Sequence, residues 1–162
     1  MKIKTAEVSD AWVIHDLMIK AFMEYKDDIP HSSALEETEQ SILVALQDGE
    51  QSFISYVNNQ PVGVVRFQLK EESLYFYRLA VIPEKQGLGI AKKLLQSLED
   101  FAVKKGVTTI CCKVRMTVPK NIQLYHSIGY RIFDKEVIQK PNGLHINVVS
   151  MMKRLDGEVG RS

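Results

Sequence analysis

Gln86-Gly87-Leu88-Gly89-Ile90-Ala91 follows the apolar run Leu79-Ala80-Val81-Ile82-Pro83 and opens directly into a strongly helical stretch. A strand that hands a glycine-rich turn to a helix start makes an anion site. The first N–H groups of a helix lack intrahelical partners, and the positive end of the helix dipole points the same way. Glycines at 87 and 89 remove the side chains that would keep a phosphate off that backbone. Of three familiar phosphate-loop patterns, two fail on the letters. A Walker loop needs Gly-Lys and then Ser or Thr, whereas Gly89 is followed by Ile90 and Ala91. The dinucleotide fingerprint G-x-G-x-x-G needs a glycine where Lys92 stands. The third pattern is Gln or Arg, two residues, Gly, one residue, then Gly or Ala; Gln86, Gly89 and Ala91 fill it.

The elements that must hold this loop can be read from periodicity. Ile14, Leu17, Met18, Ala21 and Phe22 repeat at helical spacing after the caps Ser9 and Asp10. A second helix is expected from a capping box at Ser33-Ala34-Leu35-Glu36, with Ile42, Leu43 and Leu46 as its apolar face and Gly49 as its stop. The period then changes to that of strands at Ser52–Val57, Val62–Leu69 and Leu74–Ile82, the first two joined by Asn58-Asn59-Gln60-Pro61. After the loop, Ile90, Ala91, Leu94, Leu95, Leu98, Phe101 and Ala102 form the core stripe of a helix ending near Gly106. Thr108–Val114 reads as a strand, Pro119–Ser127 as a short helix ending at Gly129, and the rest as a hairpin through Pro141-Asn142-Gly143. The order is β-α-α-β-β-β-α-β-α-β-β. Three consecutive strands with short turns before the loop imply antiparallel pairing, which argues against a doubly wound nucleotide-binding sheet.

Composition narrows the classes further. A chain of 162 residues suits one domain with a sizeable core, and 45% hydrophobic with 25% charged residues matches a soluble protein. A net charge of +1 gives no reason to expect a nucleic-acid partner. No apolar run approaches a membrane span, and MKIKTAEVSDAW has no signal core, so no membrane association is expected. Cys111 and Cys112 are adjacent on a strand, point to opposite faces, and lack metal spacing. His15, His31, His126 and His145 show none either, so no metal is expected. A cytoplasmic protein with reduced thiols is the expected setting.

The loop resembles the acetyl-CoA pyrophosphate loop of the GNAT acetyltransferase superfamily, and the element order extends that resemblance from Lys2 to about Leu155. A second match is Pro119-Lys120-Asn121-Ile122-Gln123-Leu124-Tyr125 followed by Ser127-Ile128-Gly129-Tyr130, similar to the family's late motif. Many members carry an Asn seven residues before that Tyr; here the position is Val118, which leaves open whether Asn121 takes over the contact. The resemblance implies an α/β (α+β) fold with a mixed, mostly antiparallel sheet flanked by helices, one domain over 1–155, and a loose tail over 156–162. A homodimer is compatible with it.

The same resemblance implies transfer of an acetyl group from acetyl-CoA to a primary amine. N–H groups of Gly87, Leu88, Gly89, Ile90 and Ala91 would hold the pyrophosphate, Gln86 would order the loop, and Lys92 or Lys93 would reach further phosphate oxygens. Leu79, Ala80 and Val81 would pair with the two amides of pantetheine as with a peptide strand. Tyr125 matches the family's general acid, since a phenol of pKa near 10 can protonate a thiolate of pKa near 8.5. An alkylammonium of pKa near 10.4 must lose a proton before attack, at a cost of about 4–5 kcal/mol at neutrality. Where relatives often place a carboxylate for this, Tyr75, Phe76, Tyr77 and Arg78 stand instead, with Tyr77 the candidate substrate contact. Glu24, Asp27, Asp28 and His31, on the segment expected to border the acceptor, are the candidates for this base, and the three carboxylates among them lean toward a cationic amine. The base is not assigned. A non-catalytic acyl-CoA-binding sensor or regulatory module is the competing class; it would keep the glycine loop and have no need of Tyr125. Trp12 reads as core or helix-start packing, and His126 as surface or packing.

Overall fold

The structure, a computed structural model, describes residues 1–23, 33–116 and 119–155. Its elements are β1 (Lys2–Thr5), α1 (Ala11–Phe22), α2 (Glu39–Gln47), β2 (Gln51–Val57), β3 (Gln60–Lys70), β4 (Ser73–Val81), α3 (Ile90–Lys104), β5 (Thr109–Arg115), α4 (Pro119–Ser127), β6 (Arg131–Gln139) and β7 (His145–Arg154). This is the order expected from the sequence. The strands form a seven-stranded sheet in the order β1-β2-β3-β4-β5-β7-β6. It is mostly antiparallel, with β4 and β5 the parallel pair. The chain divides into two compact units, Met1–Gln68 with Phe76–Phe101, and Leu69–Tyr75 with Ala102–Ser162.

In the first unit, α1 buries Ile14, Leu17, Met18 and Ala21 together with Ile42 and Leu46 of α2 and Ile54, Val64 and Ala80 of the sheet. Trp12, expected as core or helix-start packing, falls off that stripe and is 58% exposed at the start of α1, so the core reading does not hold. The start of α2 also differs from expectation. Ser33–Glu36 is a single 3-10 turn, and the capping box lies at Thr38, whose Oγ1 accepts from the Ser41 N–H while Ser41 Oγ accepts from the Thr38 N–H. The interruption has a visible cause: Glu37 is drawn aside by two arginines (below).

On the opposite face, Phe101 of α3 packs edge-on against Phe53 and Phe67, with centroids 5.8 and 5.3 Å away. Ile90, Leu94, Leu95 and Leu98 are buried, as their spacing requires. Gly63 lets the first residue of this helix come down close to the strands. A Cβ there would lie 2.7 Å from Ser55 Oγ and 3.2 Å from both the Ala80 carbonyl oxygen and Ile90 Cγ2.

The second unit is the β5-β7-β6 antiparallel ladder, joined on its β5 side by Ser73–Tyr75 of β4, paired with Thr109–Cys111. β6 and β7 are linked by the turn expected around Asn142, whose Oδ1 accepts from the Leu144 N–H at 3.0 Å. The end of α4 folds back on itself: the N–H groups of Ile128 and Tyr130 both reach the Tyr125 carbonyl, at 3.2 and 3.0 Å. Tyr130 is fully buried, its ring 5.8 Å from that of Tyr125. Cys111 and Cys112 are both free thiols, and burial raises the pKa of each, so both stay protonated near neutrality.

Candidate active site

The loop is built locally. The Ile82 N–H donates to the Val62 carbonyl at 2.9 Å, fixing the end of β4, and Pro83–Lys85 makes one 3-10 turn. Gln86 Nε2 then reaches back to the Val81 carbonyl at 3.1 Å, so its side chain ties the turn to the strand. Gly87 and Gly89 have φ of +81° and +80°, left-handed values that disfavour side chains, and a Cβ on either would point into open space. Lys93 is the first residue of α3 to donate to a carbonyl, that of Gly89 at 3.1 Å. The N–H groups from Gly87 to Lys92 have no backbone acceptor among the described residues. Two left-handed turns, unclaimed donors and open space above the glycines fit a pyrophosphate, and Lys92 and Lys93 are exposed beside them.

Three residues before the end of β4 the strand departs from regular geometry. Arg78 has φ +55°, a left-handed value that costs a non-glycine residue about 1–3 kcal/mol. The side-chain alternation changes there. Tyr77 shares the sheet face of Arg66, and Ala80, three residues on, lies in the α1–α2 core on that same face. In a regular strand residues three apart point to opposite faces.

Around this kink lies a set of charges that the sequence did not reveal. Arg66, 3% exposed, gives Nε and Nη2 to the two oxygens of Glu50 at 2.7 and 2.9 Å, and Nη1 to Glu37 at 2.9 and 3.0 Å. Arg78 Nε donates to Glu37 Oε2 at 2.7 Å. The Tyr77 hydroxyl donates to Glu50 Oε1 and accepts from Gln68 Nε2 at 3.2 Å. Two guanidiniums meet two carboxylates, so the cluster is neutral as well as hydrogen-bonded, the condition for burying charge at all. Burial by itself would raise the Glu37 pKa, but the hydrogen bonds and charges of Arg66 and Arg78 outweigh it and hold the carboxyl below its ordinary value of 4.5. Burial, with the adjoining Glu50 carboxylate, raises the Tyr77 phenol well above 10.0. Tyr77 therefore stays protonated and keeps its hydroxyl as a donor to Glu50.

Glu37, Glu50 and Arg78 went unrecognised in the sequence because nothing local distinguishes them. Arg66 did carry a signal: it follows Val62 and Val64 at alternate positions of β3, and a charge in line with an apolar run must find a partner. Of the expected site residues, Leu79–Val81, Gln86–Lys92 and Tyr77 lie in the first unit. Tyr125 and Asn121 lie on α4 in the second, Tyr125 buried at 5% exposure and Asn121 partly exposed. Glu24, Asp27, Asp28 and His31, and also Val118, fall outside the described residues. Among those described, no group of three His, Cys, Asp or Glu side chains is placed to hold a metal ion, and no helix is long and apolar enough to cross a membrane.

The chain is similar to known proteins in sequence and in fold. The chain is 33% identical over 96 residues to the [ribosomal protein bS18]-alanine N-acetyltransferase of Haemophilus influenzae, covering 58% of this chain and 65% of that relative, just under two thirds of its length. The crystal structure of the ribosomal-protein-S18-alanine N-acetyltransferase from Escherichia coli superposes with a TM-score of 0.77 at 20% identity, covering 94% of this chain and 92% of that one. The PaiA N-acetyltransferase of Thermoplasma acidophilum, in complex with coenzyme A, does so with a TM-score of 0.76 at 16% identity, covering 96% and 100%. Residues 12–130 match the model of the acetyltransferase (GNAT) family, and with the glycine loop and the Tyr125–Tyr130 motif in their expected elements, the chain belongs to that family.

Proposed function

We propose that this chain is an acetyl-CoA-dependent N-acetyltransferase acting on a primary amine in a ternary complex, with residues 1–155 as one cytoplasmic catalytic domain. The observation that carries this reading is the start of α3, where the six N–H groups from Gly87 to Lys92 have no backbone acceptor among the described residues and the space above two left-handed glycines is open. Main-chain donors of Gly87–Ala91 bind the pyrophosphate, Gln86 holds the loop to β4, and Lys92 and Lys93 add charge. The backbone of Leu79–Val81 pairs with pantetheine beyond the Arg78 kink. Asn121 is the candidate for the cofactor contact that relatives make from the position of Val118.

In the reaction the amine nitrogen attacks the thioester carbonyl carbon, the C–N bond forms and the C–S bond breaks. Sulfur leaves as a thiolate and takes its proton from the Tyr125 hydroxyl. The proton lost by the amine goes to water or to a carboxylate of the acceptor-side segment, where Glu24, Asp27 and Asp28 attract a cationic acceptor. Tyr77 orients the amine through its phenol oxygen. Two of the similar proteins are alanine N-acetyltransferases of a ribosomal protein, which favours a protein α-amine among the acceptors. Such an amine, with pKa near 7.7–8.0, is partly deprotonated at neutrality, so it needs little help from a base.

A panel of small amines and peptides with free N-termini, incubated with acetyl-CoA while thiol release is followed, tests this reading. Release that depends on an amine supports it; tight CoA binding with no release to any amine would leave a binding module instead. Tyr125→Phe keeps the ring and deletes the donor, so acetyl-CoA affinity should survive while turnover falls by roughly 10²- to 10⁴-fold. Turnover near wild type would assign protonation of the thiolate to another group.

A further inference from the structure

We propose that Glu37 is a positioning residue for acetyl-CoA: through Arg66 and Arg78 it clamps the left-handed kink of β4 and so aims the Leu79–Val81 backbone at the pantetheine arm. This rests on the reading of the site given above. Glu37 precedes α2 and touches neither the glycine loop nor the Leu79–Val81 edge in any recorded hydrogen bond, yet it is the acceptor shared by both arginines. One of these, Arg66, is locked from the other side by both oxygens of buried Glu50, so Glu37 is held by a guanidinium that cannot swing away. The second, Arg78, is the residue whose backbone is left-handed. A strained backbone persists when its surroundings over-determine it. One such restraint here is a 2.7 Å charge-assisted bond from Arg78 Nε to Glu37 Oε2. Directly after the kink come Leu79, Ala80 and Val81, with Ala80 packed in the α1–α2 core. The direction of their N–H and C=O groups follows from the φ of Arg78, as a strand's side-chain alternation and its hydrogen-bonding edge rotate together at such a kink.

The clamp acts on the part of the site that binds pantetheine and leaves the phosphate loop alone. Calorimetry with two probes separates these: acetyl-CoA uses both parts, and adenosine 3′,5′-bisphosphate lacks the pantetheine arm. Glu37→Ala should weaken acetyl-CoA about tenfold and change the bisphosphate by less than twofold. Arg78→Gly in the same background should restore acetyl-CoA to within threefold of wild type, because glycine takes a left-handed φ without a clamp. Equal weakening of both probes, or no rescue by Arg78→Gly, would reduce Glu37 to a general structural residue and overturn the proposal; so would unchanged acetyl-CoA affinity. If Glu37→Ala does not fold, Glu37→Gln, which keeps the volume and drops the charge, carries the same comparison. Amide exchange in the free protein reads the clamp without any ligand. Exchange at Leu79–Ile82 should quicken about tenfold in the variant while β2 is unchanged, and equal protection would refute the clamp. Wild-type protein that bound neither probe would instead refute the acetyl-CoA reading, and the exchange experiment would then decide the role of Glu37 by itself.

Discussion

The glycine loop and the Arg66 cluster lie in the same compact unit and solve opposite problems. The loop leaves its polar groups unclaimed: N–H groups from Gly87 to Lys92 have no backbone acceptor among the described residues, and the space above the glycines is open. The cluster leaves its named donors satisfied: Glu50 accepts from two nitrogens of Arg66 and from Tyr77, and Glu37 accepts from two arginines. The difference is one of function. Donors kept free at a solvent-facing helix start cost little, since water serves them until a ligand arrives. A charge with a side-chain exposure of 4%, as at Arg66, has no such substitute and must be paired by the fold itself. Mutations should therefore separate the two regions, with stability lost chiefly at the cluster and phosphate binding lost at the loop.

The largest effect is expected where the cluster is broken. Arg66→Met leaves Glu50 buried with only Tyr77 beside it and takes one of two partners from Glu37, a change of the kind that costs about 3–5 kcal/mol. For a chain of this size that lowers Tm by roughly 6–20 °C. Thermal unfolding measures it, and a fall of no more than about 2 °C would place the stability of this unit elsewhere. Adding Glu50→Met to Arg66→Met removes an orphaned charge and should recover part of the loss.

A smaller effect, and of the other kind, is expected at the loop. Gly89→Val puts a β-branched side chain at φ +80° and fills the open space where phosphate would sit. CoA affinity should drop at least tenfold by calorimetry while the protein stays folded at 25 °C. An unchanged dissociation constant would remove the loop from the site and erase the contrast between the regions.

The smallest effect is one of pH. Because the folded-state pKa of Glu37 lies below its ordinary 4.5, its contribution to stability is complete above that value and is lost as pH falls through the folded-state pKa. The facing groups are Arg66 and Arg78, cationic throughout, with Glu50 and Tyr77 behind them. Tm measured from pH 3 to 7 should decline below about pH 4.5, and Glu37→Gln should have a shallower acid limb. Identical slopes would mean that the pairing does not couple to folding.

Elements with strong local signals were legible in advance. The helix stripe Ile90-Leu94-Leu95-Leu98, the Asn58-Asn59 turn and the late motif ending at Tyr130 all stand where periodicity and turn chemistry put them. The errors came where a local signal competed with a distant one. Ser33–Glu36 has the letters of a capping box, but the chain leaves the helical path at Glu37 and the helix starts again from Thr38. Trp12, apolar enough for a core, lies just off the stripe that is buried.

The sequence by itself determined the glycine loop, because its parts are neighbours: Gln86 and the carbonyl it grips are five residues apart, and a glycine's left-handed φ is a property of that residue alone. It also determined the element order and, with Tyr125 in its motif, the family. Only the tertiary structure decided the charge cluster and the kink in β4. Arg66 meets Glu50 across 16 residues and Glu37 across 29, and Arg78 meets Glu37 across 41. Twenty charged Asp and Glu side chains compete for such partners along the chain. The pairing of Ser52 with Arg66 between β2 and β3 brings Glu50, two residues before Ser52, to the guanidinium, and the packing of α1 and α2 on that face brings Glu37. Pairing energies that depend on register exist only once the sheet has formed, which is why the partners of Arg66 stayed silent in the sequence.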